Sequence, residues 1–125
     1  MQYSILIVDD EHIIRQSIEA IFSEDYDIYK ACSGEEAVEI IQKNHIDLVL
    51  LDMRMVGSID GIATLKLIKQ QDASIEVIMA TAVKDKYILD EAMKHGACDY
   101  IEKPFDIDDL INRVYRILFE KMKQY

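Results

Sequence analysis

Ile5-Leu6-Ile7-Val8-Asp9-Asp10-Glu11 is an unbroken run of large aliphatic residues that ends abruptly in acids. A run without polar alternation describes a strand covered on both faces, the condition of a central strand in a parallel sheet. Leu48-Val49-Leu50-Leu51, closed by Asp52, and Val77-Ile78-Met79-Ala80, closed by Thr81, have the same character. Two other segments differ. Asp27-Ile28-Tyr29-Lys30-Ala31-Cys32 mixes polar with apolar residues, and Asp99-Tyr100-Ile101-Glu102 is short and followed by Lys103-Pro104. Both read as edge strands.

Segments of helical period alternate with these runs, which is the pattern of an α/β domain. Ile14, Ile18, Ile21 and Phe22 form one apolar stripe. Ser33-Gly34-Glu35-Glu36 has capping-box spacing and leads into Ala37, Val38, Ile40 and Ile41. A third helix is predicted from Asp60-Gly61, with Ile62, Leu65 and Ile68 inward. A fourth runs from about Lys84 to a C-cap at His95-Gly96, and a fifth follows Pro104 with Ile107, Leu110, Ile111, Val114 and Leu118 facing the core. Right-handed crossovers leave few topologies, and with two edge strands the simplest is a three-layer, doubly wound, five-stranded parallel sheet of order 2-1-3-4-5. Ligands of such sheets sit beyond the carboxyl ends of the strands, where the winding reverses. Here that point lies between the strands ending in Asp9-Asp10 and in Asp52.

The 125 residues suffice for one domain with a real core, and the whole of 1–125 is expected to be that domain. With 24 acidic against 14 basic residues the formal net charge is −10, so direct binding to nucleic acid or anionic lipid is not expected. No stretch approaches membrane-spanning length and the start lacks a basic-then-apolar leader, so a cytoplasmic location is expected. Cys32 and Cys98 lack paired-ligand spacing and are expected as small buried hydrophobes.

Taken singly, Asp9-Asp10-Glu11 would be a turn or helix cap, and Asp52 an ordinary strand-end acid. Crowded at one sheet edge, three carboxylates must take up protons or acquire a cation. Magnesium suits such a set, because it binds through a few protein oxygens and leaves positions for water and phosphate. Lys103 supplies a fixed positive charge, its loop stiffened by Pro104. Thr81 would be unremarkable at the end of a central strand but for its expected neighbours Asp52 and Lys103. Phosphoryl transfer asks chiefly for positioning and charge neutralisation, and this set supplies both.

With these residues in view, the chain resembles the receiver domain of two-component response regulators over nearly its whole length. The matching words are Ile5-Leu-Ile-Val-Asp-Asp-Glu11, Leu50-Leu-Asp-Met-Arg-Met55, Asp60-Gly61, Met79-Ala-Thr81 and Asp99-Tyr-Ile-Glu-Lys-Pro-Phe105. The resemblance implies a flavodoxin-like, CheY-like fold and a phosphorylation-dependent switch in a phosphorelay. It implies that Asp52 accepts a phosphoryl group from a phosphohistidine on a sensor histidine kinase or a histidine phosphotransfer protein. It further implies Mg2+ held by Asp10, Asp52 and the backbone carbonyl of Arg54, with Asp9 acting through water. Lys103, joined to Pro104 by a cis bond, would pair with Asp52 and then with the phosphoryl oxygens. Thr81 and Tyr100 would be the switch pair. Such a domain promotes its own phosphorylation and dephosphorylation but is not a conventional enzyme.

One stretch departs from that family. Val56 stands where proline is usual, and Asp60-Gly61 come one residue late, so a longer, looser loop is expected. The Arg54 side chain is a candidate to reach the phosphoryl group. His12, His45 and His95 are given ordinary surface roles, and Met53, Met55 and Met79 gap-filling ones. Tyr115, Phe119 and Met122 form a second stripe on the last helix. They either extend the packing or belong to a partner or homodimer surface on the fourth helix, fifth strand and fifth helix, and an output domain could follow. The rivals are an aspartyl-phosphate hydrolase of haloacid-dehalogenase type and a degenerate receiver serving only as an interaction module. The first needs an aspartate where Arg54 stands; for the second, all five expected site residues are present. Flavin binding conflicts with the acids after the first strand, and no P-loop occurs.

Overall fold

The computed structural model describes residues 2–55, 57, 59–82 and 86–123. Five strands alternate with five helices: β1 (Ser4–Val8), α1 (His12–Phe22), β2 (Asp27–Ala31), α2 (Gly34–Lys43), β3 (Leu48–Asp52), α3 (Gly61–Gln71), β4 (Glu76–Thr81), α4 (Lys86–Lys94), β5 (Asp99–Glu102) and α5 (Ile107–Met122). All pairings are parallel and the order is β2-β1-β3-β4-β5, as expected. Every residue of β1 and β3 is buried, whereas β2 and β5 each keep exposed positions.

Alternation along the central strands feeds two apolar layers. Leu6, Val8, Val49, Leu51, Val77 and Met79 pack with Ala37, Ile41, Leu65, Ile68 and Ala92, the inner faces of α2, α3 and α4. Ile5, Ile7, Leu48, Leu50, Ile78 and Ala80 pack with Ile18, Phe22, Leu110, Val114 and Leu118 of α1 and α5. Caps set where helices begin. The Ser33 side chain accepts from Glu36 N–H, and Glu36 reaches back to Cys32 N–H, one residue before the cap. Asp60 and Asp106 accept from Ala63 and Asp109 N–H at the starts of α3 and α5. Gly96, at φ +106°, stops α4 as a C-cap glycine should. The expected start of α4 near Lys84 lies outside the described residues.

Four residues depart from expectation. Ile107 and Ile111 are 55% and 38% exposed, because the inward stripe of α5 follows Leu110, Val114 and Leu118. Ile111 is rotated about 100° from Leu110, and Ile107 sits in the first turn. Cys32 is exposed beyond the end of β2, and Cys98 is only partly buried. Its Sγ lies 3.3 Å from Val77 O, and burial, with Glu76 next in effect, pushes the thiol up to about 12. It is inert as a nucleophile at neutral pH. Met53, Met55 and Met79 are buried, as expected.

Candidate functional site

The carboxyl ends of β1, β3 and β4 and the turn after β5 open into one cleft of ≈ 250 Å³, lined by Asp10, Glu11, Asp52, Met53, Arg54, Thr81, Ala82 and Lys103. The parallel sheet produces this convergence, since residues separated widely in sequence end neighbouring strands side by side. Val8 pairs with Leu51, Asp52 with Ala80 and Thr81 with Glu102, so each polar residue sits at or just past the edge.

Asp9 is 2% exposed, and its charge is well engaged. One carboxylate oxygen accepts from Glu11 N–H at 2.9 Å, and the other from Lys103 Nζ at 2.7 Å. Lys103 Nζ also stands 3.3 Å from Asp52 Oδ1, so the ammonium bridges two acids and is held closer to Asp9. The backbone fixes its approach: Lys103 N–H donates to Thr81 O at 2.9 Å, and the bond to Pro104 is cis. Thr81, at 1% exposure, is the last residue of β4 and lines the cleft.

Asp52 ends β3 and is itself buried. Burial raises its carboxyl above the ordinary range; Lys103 works against this and Asp9 adds to it. For Lys103, burial acts downward, but the hydrogen bond to Asp9 and the charges of Asp52 and Asp9 outweigh it, so the ammonium is raised. Arg54 N–H points at Asp52 Oδ1 from 3.5 Å, and the Arg54 side chain is exposed at the cleft.

Asp9, Asp10 and Asp52 each offer a carboxylate oxygen within 4.8 Å of the others. Hard oxygen donors at this spacing, three negative charges against one ammonium, fit a divalent cation such as Mg2+. The expected residues are thus brought together, with one exception. Tyr100 does not line the cleft. It is 39% exposed on β5, in a groove with Lys86, Leu89, Asp90 and Met93 of α4. The histidines stand apart: His12 is beside Arg15, His45 beside Asp47 and His95 beside Glu91.

The family model described as the response regulator receiver domain matches residues 5–115. The chain belongs to this family. Among curated relatives, the receiver is 40% identical over 119 residues to the sporulation initiation phosphotransferase F of Bacillus subtilis, covering 94% of this chain and 95% of that protein. It is 37% identical over 122 residues to the regulatory protein AtoC of Escherichia coli, covering 96% of this chain but 26% of AtoC. Among solved structures, a CheY-like receiver domain protein of Methanospirillum hungatei superposes with a TM-score of 0.95 at 26% identity, over 100% of both chains. The NtrX receiver domain of Brucella abortus gives 0.84 at 37% identity, over 90% of this chain and 95% of that one. Membership makes the protein a receiver of two-component signalling and sets aside the dehalogenase-type hydrolase. Among the described residues, no helix is long and apolar enough to cross a membrane.

One functional-looking residue escaped the sequence reading. Lys121 is 5% exposed at the far end of α5, with its ammonium on the carbonyls of Asp47 and Ser74. The signal was available: position 121 is seven residues after Val114 and three after Leu118, on the same inward stripe.

Proposed function

We propose that this receiver is switched by phosphorylation of Asp52, the phosphoryl group coming from a phosphohistidine of a sensor kinase or phosphotransfer protein. A carboxylate oxygen of Asp52 attacks phosphorus, the P–N bond breaks, and the imidazole leaves. The observation that supports this is the meeting of Asp52 with Lys103, Thr81 and two further acids in one cleft. Asp10, Asp52 and the Arg54 carbonyl would hold Mg2+, with Asp9 acting through water; the bound cation would neutralise phosphoryl oxygens. Lys103 gains a partner in those oxygens, and the Thr81 hydroxyl donates to them. These contacts exist only in the modified protein, so they favour its conformation. Tyr100 and α4 carry the change outward, to an output domain or to a second copy through the α4–β5–α5 face. One receiver spans 1–125, acts in the cytoplasm, promotes its own phosphorylation and hydrolysis, and converts no metabolite.

The test is incubation with Mg2+ and acetyl phosphate, read by intact mass. The native protein should gain one phosphoryl group and Asp52→Asn none. Equal labelling of both would overturn the assignment, and no labelling of the native chain would leave it an interaction module only.

A further inference from the structure

We propose that the first turn of α2 is a positioning element for the phosphoryl site, holding the segment between β3 and α3 through Gly34, Glu35 and Ile59. The inference rests on the site reading above. The segment carries Arg54 and lacks the proline usual at position 56, with one extra residue before Asp60-Gly61. Two attachments take the place of that stiffening.

At its base the loop is closed by Gly61, whose N–H donates to Met53 O at 3.0 Å. A Cβ at Gly61 would stand 2.7 Å from Met53 Cα and 2.9 Å from Asp52 O, so only glycine fits against the acceptor's own backbone. Near its end the loop is tied to α2. Ile59 N–H donates to Glu35 Oε1 at 2.9 Å, across 24 residues of sequence. The Ile59 side chain lies over Gly34, where a Cβ would stand 2.6 Å from Ile59 Cγ1 and closer still to Thr64 Oγ1. Glycine at 34 therefore makes the seat, and Glu35 supplies a charged acceptor, stronger than a neutral one. With residues 53, 59 and 61 held, the Arg54 peptide has fewer conformations to lose when its carbonyl is engaged. A tie from α2 does here what a proline does elsewhere by stiffening the chain.

The test is Mg2+ binding by the unphosphorylated protein, titrated by amide NMR shifts at a temperature where every variant is folded. Glu35→Ala should weaken binding about 3- to 10-fold, less than the full loss of one charged hydrogen bond because the tie acts on the Arg54 carbonyl only indirectly. Glu35→Gln keeps an acceptor oxygen and should retain most of the affinity. Glu36→Ala removes the same charge from the same turn, but its carboxylate serves Cys32 N–H, so binding should be unchanged. Native affinity in Glu35→Ala would overturn the inference while leaving the site intact. So would equal losses in Glu35→Gln or in Glu36→Ala, which would point to charge alone. A native protein that binds no Mg2+ would overturn the site reading and this inference together.

Discussion

At the carboxyl end of the sheet, Lys103 faces acids: its ammonium is 2.7 Å from Asp9 and 3.3 Å from Asp52. At the amino end, Lys121 faces neutral carbonyls, those of Asp47 at 3.2 Å and Ser74 at 2.6 Å, just ahead of β3 and β4. Both ammonium groups are largely withdrawn from water, yet they do opposite work. The acceptors of Lys121 are dipoles whose charge never changes, so that contact is a permanent tie between α5 and two strand entrances. Lys103 is shared between two carboxylates, with that of Asp10 beside them, so the energy of that end depends on what enters it. A protein can hold a lysine to be stable or hold one to be responsive, and the difference lies in the acceptors.

Breaking each lysine separately should expose that contrast. Lys103→Met should slow labelling of Asp52 by acetyl phosphate by about 100-fold, as for loss of a cation that stabilises developing negative charge; labelling at the native rate would remove Lys103 from the chemistry. Lys121→Met keeps the aliphatic stem but takes the ammonium from the part-buried Ser74 carbonyl and from Asp47 O, which keeps Glu76 N–H at 3.0 Å. It should cost about 1–3 kcal/mol in urea unfolding while labelling of the folded protein is unchanged.

Asp52→Asn sharpens the electrostatic half. Because burial raises the Asp52 carboxyl above 3.8, the folded protein binds the proton more tightly than the unfolded chain. Its contribution to stability is therefore greatest at low pH and falls as pH rises from 3.8 through the folded value. Without Mg2+, Asp52→Asn should melt about 2–5 °C above native at pH 7, with the gap closing below pH 3.8. Added Mg2+ should raise the native midpoint and leave the variant unmoved. A native protein more stable than the variant at neutral pH without metal would contradict the raised carboxyl. The smallest effect belongs to Tyr100→Ala: at a 39% exposed edge position it should change stability by under about 0.5 kcal/mol and labelling hardly at all. Only the response of α4 amide shifts to phosphorylation should be lost.

Much of the molecule was legible in the chain. Continuous apolar runs marked β1, β3 and β4 as central, and mixed or short ones marked β2 and β5 as edges, because burial on two faces excludes polar alternation. The acids, threonine and lysine of the cleft were legible for the same reason: they terminate those runs. Ile107 and Ile111 were misplaced because the apolar positions of α5 span a wider arc than the buried stripe of Leu110, Val114 and Leu118. Cys32 was misplaced because composition says nothing about which side of a strand end faces solvent. Lys121 was overlooked because a lysine on an inward stripe looks like an error until two carbonyls are found to meet it.

By itself the sequence determined the alternation of strand and helix, which strands are central and which residues end them, since each follows from local pattern. Crossover handedness narrowed the strand order to a few, and the family resemblance favoured one. Only the tertiary structure decided that Lys103 is nearer Asp9 than Asp52, that Tyr100 stands outside the cleft, and that Ile59 is tied to Glu35. Those are distances between segments remote along the chain, set by how whole layers pack, and no local propensity encodes them.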